Sequence, residues 1–445
     1  MSTYKIKKFL SDLSIGLALS ILSFAKTNKF PRNLKILINN YRITSTFSNN
    51  NLSADTRFHS EAMNAYKEGH VGNLFEAKRI RIISNRESIS SIKANQEFFP
   101  PFIGSRWTQF IGHLAVLALH SRAQSLGLVP EGKRYVLNAE NVVNKSLFEL
   151  FSENYFTLTD DYLAGLEFFP ATSGLFENYH LIKTNSGPLE THAFIEAVFM
   201  NHESISKGES ILSKNRVEQS LSKESRYWVN SRIADEFVVI HLRNTGRNER
   251  RDVGVLEYLP ALLELEKSGL QIVTIGPKLE LNNMINVVHV ADKSIQPYLF
   301  SKAKFAITSS SGPALLPGLF GTPNLGTNMT ALGRTMINCN ESTFYLPKSV
   351  TFKGRIMTFR EILDSNIAYD EQEHKELAKL EYRMINNTEQ ELLLAIKWML
   401  DKVEDGFSVS NTIDNNVRDI QDSMKAVSHG RLIPTYIETS KEFLD

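Results

Sequence analysis

A run of hydroxyl groups in the second half of the sequence has the chemistry to hold an anion. It consists of Ser309, Ser310, Ser311 and Gly312, here called the serine loop, and lies where an apolar strand pattern ends and a helix pattern begins. A helix start offers unpaired backbone N–H groups and the positive end of the helix dipole, and the hydroxyl groups add further donors. The pattern favours an anion site, although a serine cap followed by a simple turn explains the same residues.

Basic side chains follow the first strand pattern of this half. His241 and Arg243 come directly after the buried-type segment Phe237–Ile240, and Arg247 lies a few residues later. Side chains two positions apart on an extended segment share one face, and an arginine fork matches a diphosphate bidentately. We therefore expect His241, Arg243 and Arg247 to approach the same anion as the serine loop. For Arg247 and the basic residues after it, a solvated loop is the alternative interpretation.

Two side chains are candidates for proton transfer. His113 follows Gly112 at the start of an apolar helix pattern, where glycine permits a close backbone approach. Asp252 closes the basic segment after the first strand. Histidine and aspartate both act as general bases in enzymes. His113 is explained equally well as a helix-capping or buried side chain, and the sequence leaves the choice between it and Asp252 open.

Motifs of several other chemistries are absent from the sequence. No Asp-x-Asp triplet occurs, since Asp160 and Asp161 are adjacent, so the usual metal–diphosphate site has no candidate. The sequence also lacks a Walker loop, Gly-x-Gly-x-x-Gly, His-Glu-x-x-His and Gly-x-Ser-x-Gly. These absences disfavour P-loop kinases, dehydrogenases, zinc proteases and α/β-hydrolases. We expect no metal site and no resident cofactor.

Charge and cysteine content limit the partners and the compartment. The 445 residues carry a formal net charge of +1, which gives no overall field to attract nucleic acid, and no nucleic-acid partner is expected. A single cysteine cannot form an intramolecular disulfide, which favours the cytoplasm.

The apolar run within residues 1–26 is shorter than the ~20 residues that span a bilayer. It fits a helix packed on the protein, a peripheral anchor on the inner membrane, or a signal peptide.

Strand–helix alternation provides the elements that would position these side chains. From Asp235, apolar strand patterns at 237–240, 271–275 and 305–308 alternate with helix patterns, which predicts a parallel, doubly wound sheet. A capping box at Thr388–Glu391 predicts the start of a long helix. Ligands of such sheets bind at the carboxyl ends of the strands, where the serine loop and Arg243 lie. The predicted organisation is an apolar helix and polar linker over 1–54, a helical segment over 55–99, a Rossmann-like domain over 100–225, a second Rossmann-like domain over 235–402 and a tail over 403–445.

Several short motifs follow one another through the segment from Val238 to about Leu400. They are Val238–Arg243, Arg251–Asp252, Glu257–Ala261, Ala306–Gly312, Leu319–Pro323, Phe344–Lys348, Thr358–Ile362 and Asn387–Glu389. In their order and spacing they resemble a family of bacterial surface-polysaccharide glycosyltransferases. Ile111–Ala115 also resembles the N-terminal part of that family, whereas residues 1–100 are not covered. The strand with His-x-Arg is also similar to fucosyltransferase-type enzymes, but Asn244–Gly246 depart from their pattern, so a fucose donor does not follow.

The resemblance implies a GT-B-like α/β fold, with two Rossmann-like domains facing a cleft and an N-terminal helical extension. It also implies metal-independent transfer of a hexosyl or deoxyhexosyl group from a nucleotide-sugar co-substrate to a glycan or lipid-linked acceptor. In that interpretation the domain over 100–225 holds the acceptor and the domain over 235–402 holds the donor, whose phosphates Arg243 and the serine loop bind. The alternative is a catalytically inactive sugar- or nucleotide-binding subunit of a polysaccharide assembly complex.

Overall fold

The structure is a computed structural model that describes most of the chain after residue 101. The described residues are 102–104, 106–127, 134–136, 142–158, 181–184, 187–190, 210–246, 250–276, 284–286, 292–330, 342–365, 367, 378, 381–407 and 431–439. The predictions for residues 1–54, for residues 55–99 and for Arg247 lie outside the described residues.

The first described unit is a three-stranded parallel sheet with helices beside it. Its elements are β1 (Phe102–Ile103), α1 (Arg106–Gln109), α2 (Ile111–Ser125), β2 (Arg134–Val136), α3 (Lys145–Ser152) and β3 (Phe156–Leu158). Strand β2 lies between β1 and β3. Next come the hairpin β4 (Leu181–Thr184) and β5 (Gly187–Glu190), and the helices α4 (Lys214–Ser220) and α5 (Lys223–Arg232).

The second unit contains the remaining described elements. Its strands are β6 (Phe237–His241), β7 (Gln271–Thr274), β8 (Met284–Asn286), β9 (Phe305–Ser309), β10 (Asn324–Met329), β11 (Thr343–Pro347), β12 (Ser349–Phe352), β13 (Arg355–Ile356), β14 (Tyr382–Ile385) and β15 (Arg431–Leu432). Its helices are α6 (Leu259–Lys267), α7 (Ile295–Lys302), α8 (Leu316–Phe320), α9 (Phe359–Asp364), α10 (Glu389–Asp405) and α11 (Pro434–Thr439). Short 3₁₀ turns, Leu256–Tyr258 and Gly312–Leu315, precede α6 and α8.

Seven of the described strands form one parallel sheet in the order β8-β7-β6-β9-β10-β11-β15. Numbered within this unit, the order is the 3-2-1-4-5-6 of Rossmann folds with one more strand at the edge. Strands β12, β13 and β14 form a separate small antiparallel sheet directly after β11.

Burial explains why the predicted apolar segments are strands. Every residue of β9 and β11 is buried, as expected for parallel strands that helices cover on both faces. Helix α10 begins at a capping box, in which the Thr388 hydroxyl accepts from the Glu391 N–H and the Glu391 carboxylate accepts from the Thr388 N–H. Its buried face packs against α6 and consists of Leu392, Ala395, Ile396 and Met399.

The two units share a continuous hydrophobic core. Leu114 of α2 belongs to the same buried cluster as Leu319 and Phe320 of α8. The connecting segment contributes as well, because the N–H groups of Ile211 and Leu212 both donate to the Leu319 carbonyl group at 2.9 and 2.8 Å. The units therefore meet along a packed surface at this point.

The predicted α/β class, with a parallel sheet in each of two units, is confirmed. The strands predicted at 237–240, 271–275 and 305–308 appear with shifts of one residue. Within the predicted tail, residues 431–439 are ordered, because β15 pairs with β11 and α11 packs against α10. The proposed boundaries 100–225 and 235–402 stay predictions. Within the described ranges, no helix combines the length and apolar composition needed to cross a bilayer.

Candidate functional site

The strand order places a topological switch point between β6 and β9. From β6 the sheet continues through β7 and β8 in one direction, and from β9 it continues through β10 and β11 in the other. His241 of β6 lies opposite Thr308 of β9, so the carboxyl ends of the two strands are level. Ligands of open α/β sheets bind outside such a point. The serine loop and the segment Arg243–Asp252 follow these strand ends, so the structure brings the two predicted groups together.

The serine hydroxyl groups make internal hydrogen bonds. Ser309 Oγ accepts from the backbone N–H of Arg243 at 2.7 Å, which joins the ends of β6 and β9. Ser310 Oγ accepts from the Thr330 N–H at 3.1 Å and lies 3.0 Å from Thr330 Oγ1. Ser311 Oγ donates to the Ser309 carbonyl group at 3.0 Å. Ser309 and Ser310 are buried and connect strand ends, whereas Ser311 and Gly312 are partly exposed.

Arg243 is oriented by a carboxylate from its own loop. Its Nε lies 3.6 Å from Asp252 Oδ1, and both side chains are largely buried. The Asp252 carboxylate also accepts from Thr245 N–H at 3.2 Å and from Thr245 Oγ1 at 2.7 Å. The loop closes through a 2.9 Å bond from the Val253 N–H to the Arg243 carbonyl group. The predicted base Asp252 is therefore engaged with Arg243 and Thr245.

Two buried cations lie beside this loop, Arg250 of the predicted basic segment and Lys348, which the sequence patterns do not indicate. Arg250 and Lys348 are each 2% exposed. The Lys348 ammonium group donates to the Asp252 carbonyl oxygen at 2.8 Å. Burial lowers the pKa of Lys348 to about 8, nearby Asp252 and Glu257 oppose this shift, and Arg250 adds to it. The available signal was the placement of Lys348 directly after a buried strand, within one of the pieces that carry the family resemblance.

His241 does not fit the predicted phosphate contact. Its Nδ1 lies against the Ile275 carbonyl oxygen at the end of β7. Burial lowers the pKa of His241 to about 4, so the ring is neutral at pH 7. A neutral ring that donates from Nδ1 keeps its proton there, and Nε2 then has none to give to a phosphate. The arrangement indicates that His241 joins β6 to β7.

Gly112 and Gly312 bring the two units into backbone contact. A Cβ atom added at Gly112 would lie 2.8 Å from the Gly312 Cα, and one added at Gly312 would lie 2.5 Å from the Gly112 N. The close approach predicted for Gly112 is therefore present, and its partner is Gly312. The space that a side chain at Gly312 would fill is occupied by the Gly112 backbone, so the absence of a side chain at Gly312 serves this contact.

His113 lies next to this contact and is held by aromatic rings. Its ring is tilted against Trp107 at a centroid distance of 5.0 Å and meets the edge of Phe110 at 5.3 Å. His113 is partly exposed, and Phe110 is 53% exposed. The predicted base thus stands beside the end of the serine loop on the side of the first unit.

A buried polar network fixes the end of β10 beside the serine loop. Thr327 Oγ1 donates to the Thr308 carbonyl group at 3.1 Å and lies 2.7 Å from the Tyr258 hydroxyl group. Asn328, in the left-handed region at φ 52°, donates from Nδ2 to that hydroxyl group at 2.8 Å. Asn387 Oδ1 accepts from the Asn328 N–H at 2.6 Å. Burial raises the pKa of Tyr258 to about 12, so the hydroxyl group stays protonated.

Comparisons with known proteins give distant structural likenesses. No protein-family model matches the chain, and no curated protein matches it. The E. coli ADP-heptose LPS heptosyltransferase II is 12% identical, with a TM-score of 0.34 over 51% of this chain and 83% of its own. The iron-containing heptosyltransferase TibC, solved with ADP-D-β-D-heptose, is 14% identical, with a TM-score of 0.38 over 69% of this chain and 77% of its own.

A third similar structure is the glycosyl transferase family 9 protein of Veillonella parvula. It is 10% identical, with a TM-score of 0.36 over 69% of this chain and 99% of its own. Identities and TM-scores of this size carry no conclusion about this chain, and the ligands named are those of the other proteins. Among the residues that the structure describes, no group of three or more His, Cys, Asp or Glu side chains could hold a metal ion.

Proposed function

We propose that this chain is a glycosyltransferase that holds the diphosphate of a nucleotide-sugar donor between Arg243 and the backbone of the serine loop. The observation that supports this most directly is the 2.7 Å bond from the Arg243 N–H to Ser309 Oγ. It joins the two strand ends that border the switch point, where α/β sheets bind phosphorylated ligands. The Ser309 and Ser310 hydroxyl groups shape the loop, so the backbone N–H groups near Ser311 and Gly312 are the proposed donors.

The proposed chemistry is the displacement of a nucleoside diphosphate by an acceptor hydroxyl group. The bond between the sugar carbon and the diphosphate oxygen breaks, and its electron pair leaves with the nucleotide. Arg243 and fixed N–H dipoles stabilise this developing negative charge in place of a metal ion. The acceptor oxygen forms the new glycosidic bond, and a general base takes its proton.

His113 is the better supported of the two candidate bases. The oxygens of Asp252 face Arg243 and Thr245, so Asp252 serves to hold the guanidinium group. His113 lies one residue beyond Gly112, which touches the end of the serine loop. We propose a glycan or lipid-linked acceptor of bacterial surface-polysaccharide synthesis, a cytoplasmic location, and peripheral membrane contact through residues 1–26.

Binding of nucleoside diphosphates to the variant Arg243→Ala tests the phosphate site. The loss of a charged contact to a buried phosphate costs about 2–5 kcal/mol, which corresponds to weakening by at least about 30-fold. A calorimetric titration with UDP, ADP, GDP and inorganic pyrophosphate measures it. The matched control is Arg232→Ala, since Arg232 is exposed on α5 and should leave binding unchanged. Unaltered binding by Arg243→Ala would refute the site.

Donor turnover separates an enzyme from a binding subunit. An enzyme should slowly hydrolyse a nucleotide sugar that it binds, even without an acceptor, and a panel of UDP-, ADP- and GDP-sugars can be screened for release of the nucleoside diphosphate. Tight binding with no release, with or without lipid extracts as acceptors, would favour the inactive subunit.

A further inference from the structure

We infer that Lys348 is a positioning residue for the proposed phosphate site, because its ammonium group holds the loop that presents Arg243. The inference rests on the proposed function. Lys348 directly follows β11, which is three positions from β6 in the sheet. Only 2% of the residue is exposed, so in this conformation the amine meets the loop and not a ligand.

A short chain of contacts connects Lys348 to the guanidinium group. The Lys348 ammonium group donates to the Asp252 carbonyl oxygen at 2.8 Å. The carboxylate of the same aspartate lies 3.6 Å from Arg243 Nε. The backbone of Arg243 is bonded in turn to Ser309 Oγ of the serine loop. Displacement of Asp252 would therefore release the group that orients Arg243.

The backbone of Lys348 is held by the sheet, independently of the loop. Its N–H donates to the Met329 carbonyl group of β10 at 2.9 Å. The preceding residue is held as well, since Asn387 Nδ2 donates to the Pro347 carbonyl group at 2.8 Å. The loop that Lys348 contacts is exposed at Asn244–Gly246, whereas Arg250 in the same loop is buried. The Lys348 side chain thus connects a strand end that the sheet holds to a loop that is partly exposed.

Burial makes the positive charge of Lys348 energetically unfavourable. Such a charge is not expected of a residue that only stabilises the fold. The charged groups that face it are Asp252, Glu257 and Arg250, and burial lowers the pKa of the amine to about 8. Replacement of a buried charge by an apolar side chain of similar size is often neutral or stabilising. Costly charges of this kind are concentrated at functional sites.

The test compares Lys348→Met and Lys348→Arg with the full-length wild-type chain. Inorganic pyrophosphate is the probe, titrated by calorimetry at pH 7 and pH 9, and each variant is melted under the same conditions. We expect Lys348→Met to bind about tenfold more weakly at pH 7, within the range of coupling between contacting residues, while melting no lower than wild type. Lys348→Arg should restore binding. Wild-type binding should weaken towards pH 9 relative to Lys348→Arg, because only the lysine loses its proton.

The outcomes separate this inference from the proposed function. If Lys348→Met binds pyrophosphate like wild type while Arg243→Ala does not, the positioning role is refuted and the phosphate site stands. If Lys348→Met melts well below wild type and Lys348→Arg does not restore binding, Lys348 is a structural residue and the inference is also overturned. Normal binding by Arg243→Ala would remove the phosphate site and the inference together.

Discussion

A methyl group added at Gly112 or Gly312 should strain the contact between the two units. Built on the backbone, the new Cβ at Gly112 lies 2.8 Å from the Gly312 Cα, and that at Gly312 lies 2.5 Å from the Gly112 N. Both neighbours are backbone atoms, which cannot move away by a change of rotamer as a flexible side chain can. The strands and helices behind them must shift instead.

The expected loss of unfolding free energy comes from overpacking. At Gly112 the preference of helices for alanine over glycine offsets part of it. Insertion of an extra methyl group into a packed region costs about 1–3 kcal/mol. Gly112 lies in the first turn of α2, where alanine is favoured over glycine by roughly 0.5–1 kcal/mol in a helix. We therefore expect Gly112→Ala to lose about 1–2 kcal/mol and Gly312→Ala about 1–3 kcal/mol of unfolding free energy.

Urea unfolding of the two single variants and of the double variant measures this effect. A single outward shift of the two units relieves both overlaps. The double variant should therefore lose less unfolding free energy than the two single variants together, by about 0.5 kcal/mol or more. The control cycle pairs Gly112→Ala with Gly406→Ala, whose added methyl group meets nothing within 4 Å, and these two costs should add. Single variants that unfold like wild type would refute the close contact. The variant Gly312→Val would likewise test the packing of Gly312 against Gly112, and it would not test whether a ligand binds there.

Two further predictions concern metal dependence and acid stability. Donor hydrolysis should persist in EDTA, because Arg243 and backbone N–H groups carry the proposed stabilisation, and full loss of activity that manganese or magnesium restores would contradict the mechanism. Wild-type stability should fall as the pH drops from 6.5 to 4, since burial lowers the pKa of His241 to about 4 and only the unfolded chain then gains the proton. The unfolding free energy lost through His241 is about 3 kcal/mol, from its pKa shift at roughly 1.4 kcal/mol per pKa unit. Urea unfolding at a series of pH values measures this loss. The prediction is contradicted if the stability of His241→Asn falls with pH as steeply as that of wild type.

Local patterns predict the central strands and several helices of the second unit. The strands β6, β7 and β9 are short apolar segments bounded by polar or glycine residues, and such signals depend on neighbours in the sequence. The capping box at Thr388 likewise specified the start of α10. The edge strand β15 was missed, because Arg431–Leu432 is too short to show a period and pairs with β11 far away in the sequence.

The α/β class and the placement of Arg243 and the serine loop at strand ends follow from the sequence, because periodicity and helix starts are properties of adjacent residues. The hydrogen-bond partners of these residues depend on tertiary packing. Ser309 bonds to a residue 66 positions away, and Lys348 bonds to one 96 positions away. The contact of Gly112 with Gly312 joins two units that the sequence describes separately. Such pairings depend on how the sheet is ordered and how the units pack, and no local pattern specifies them.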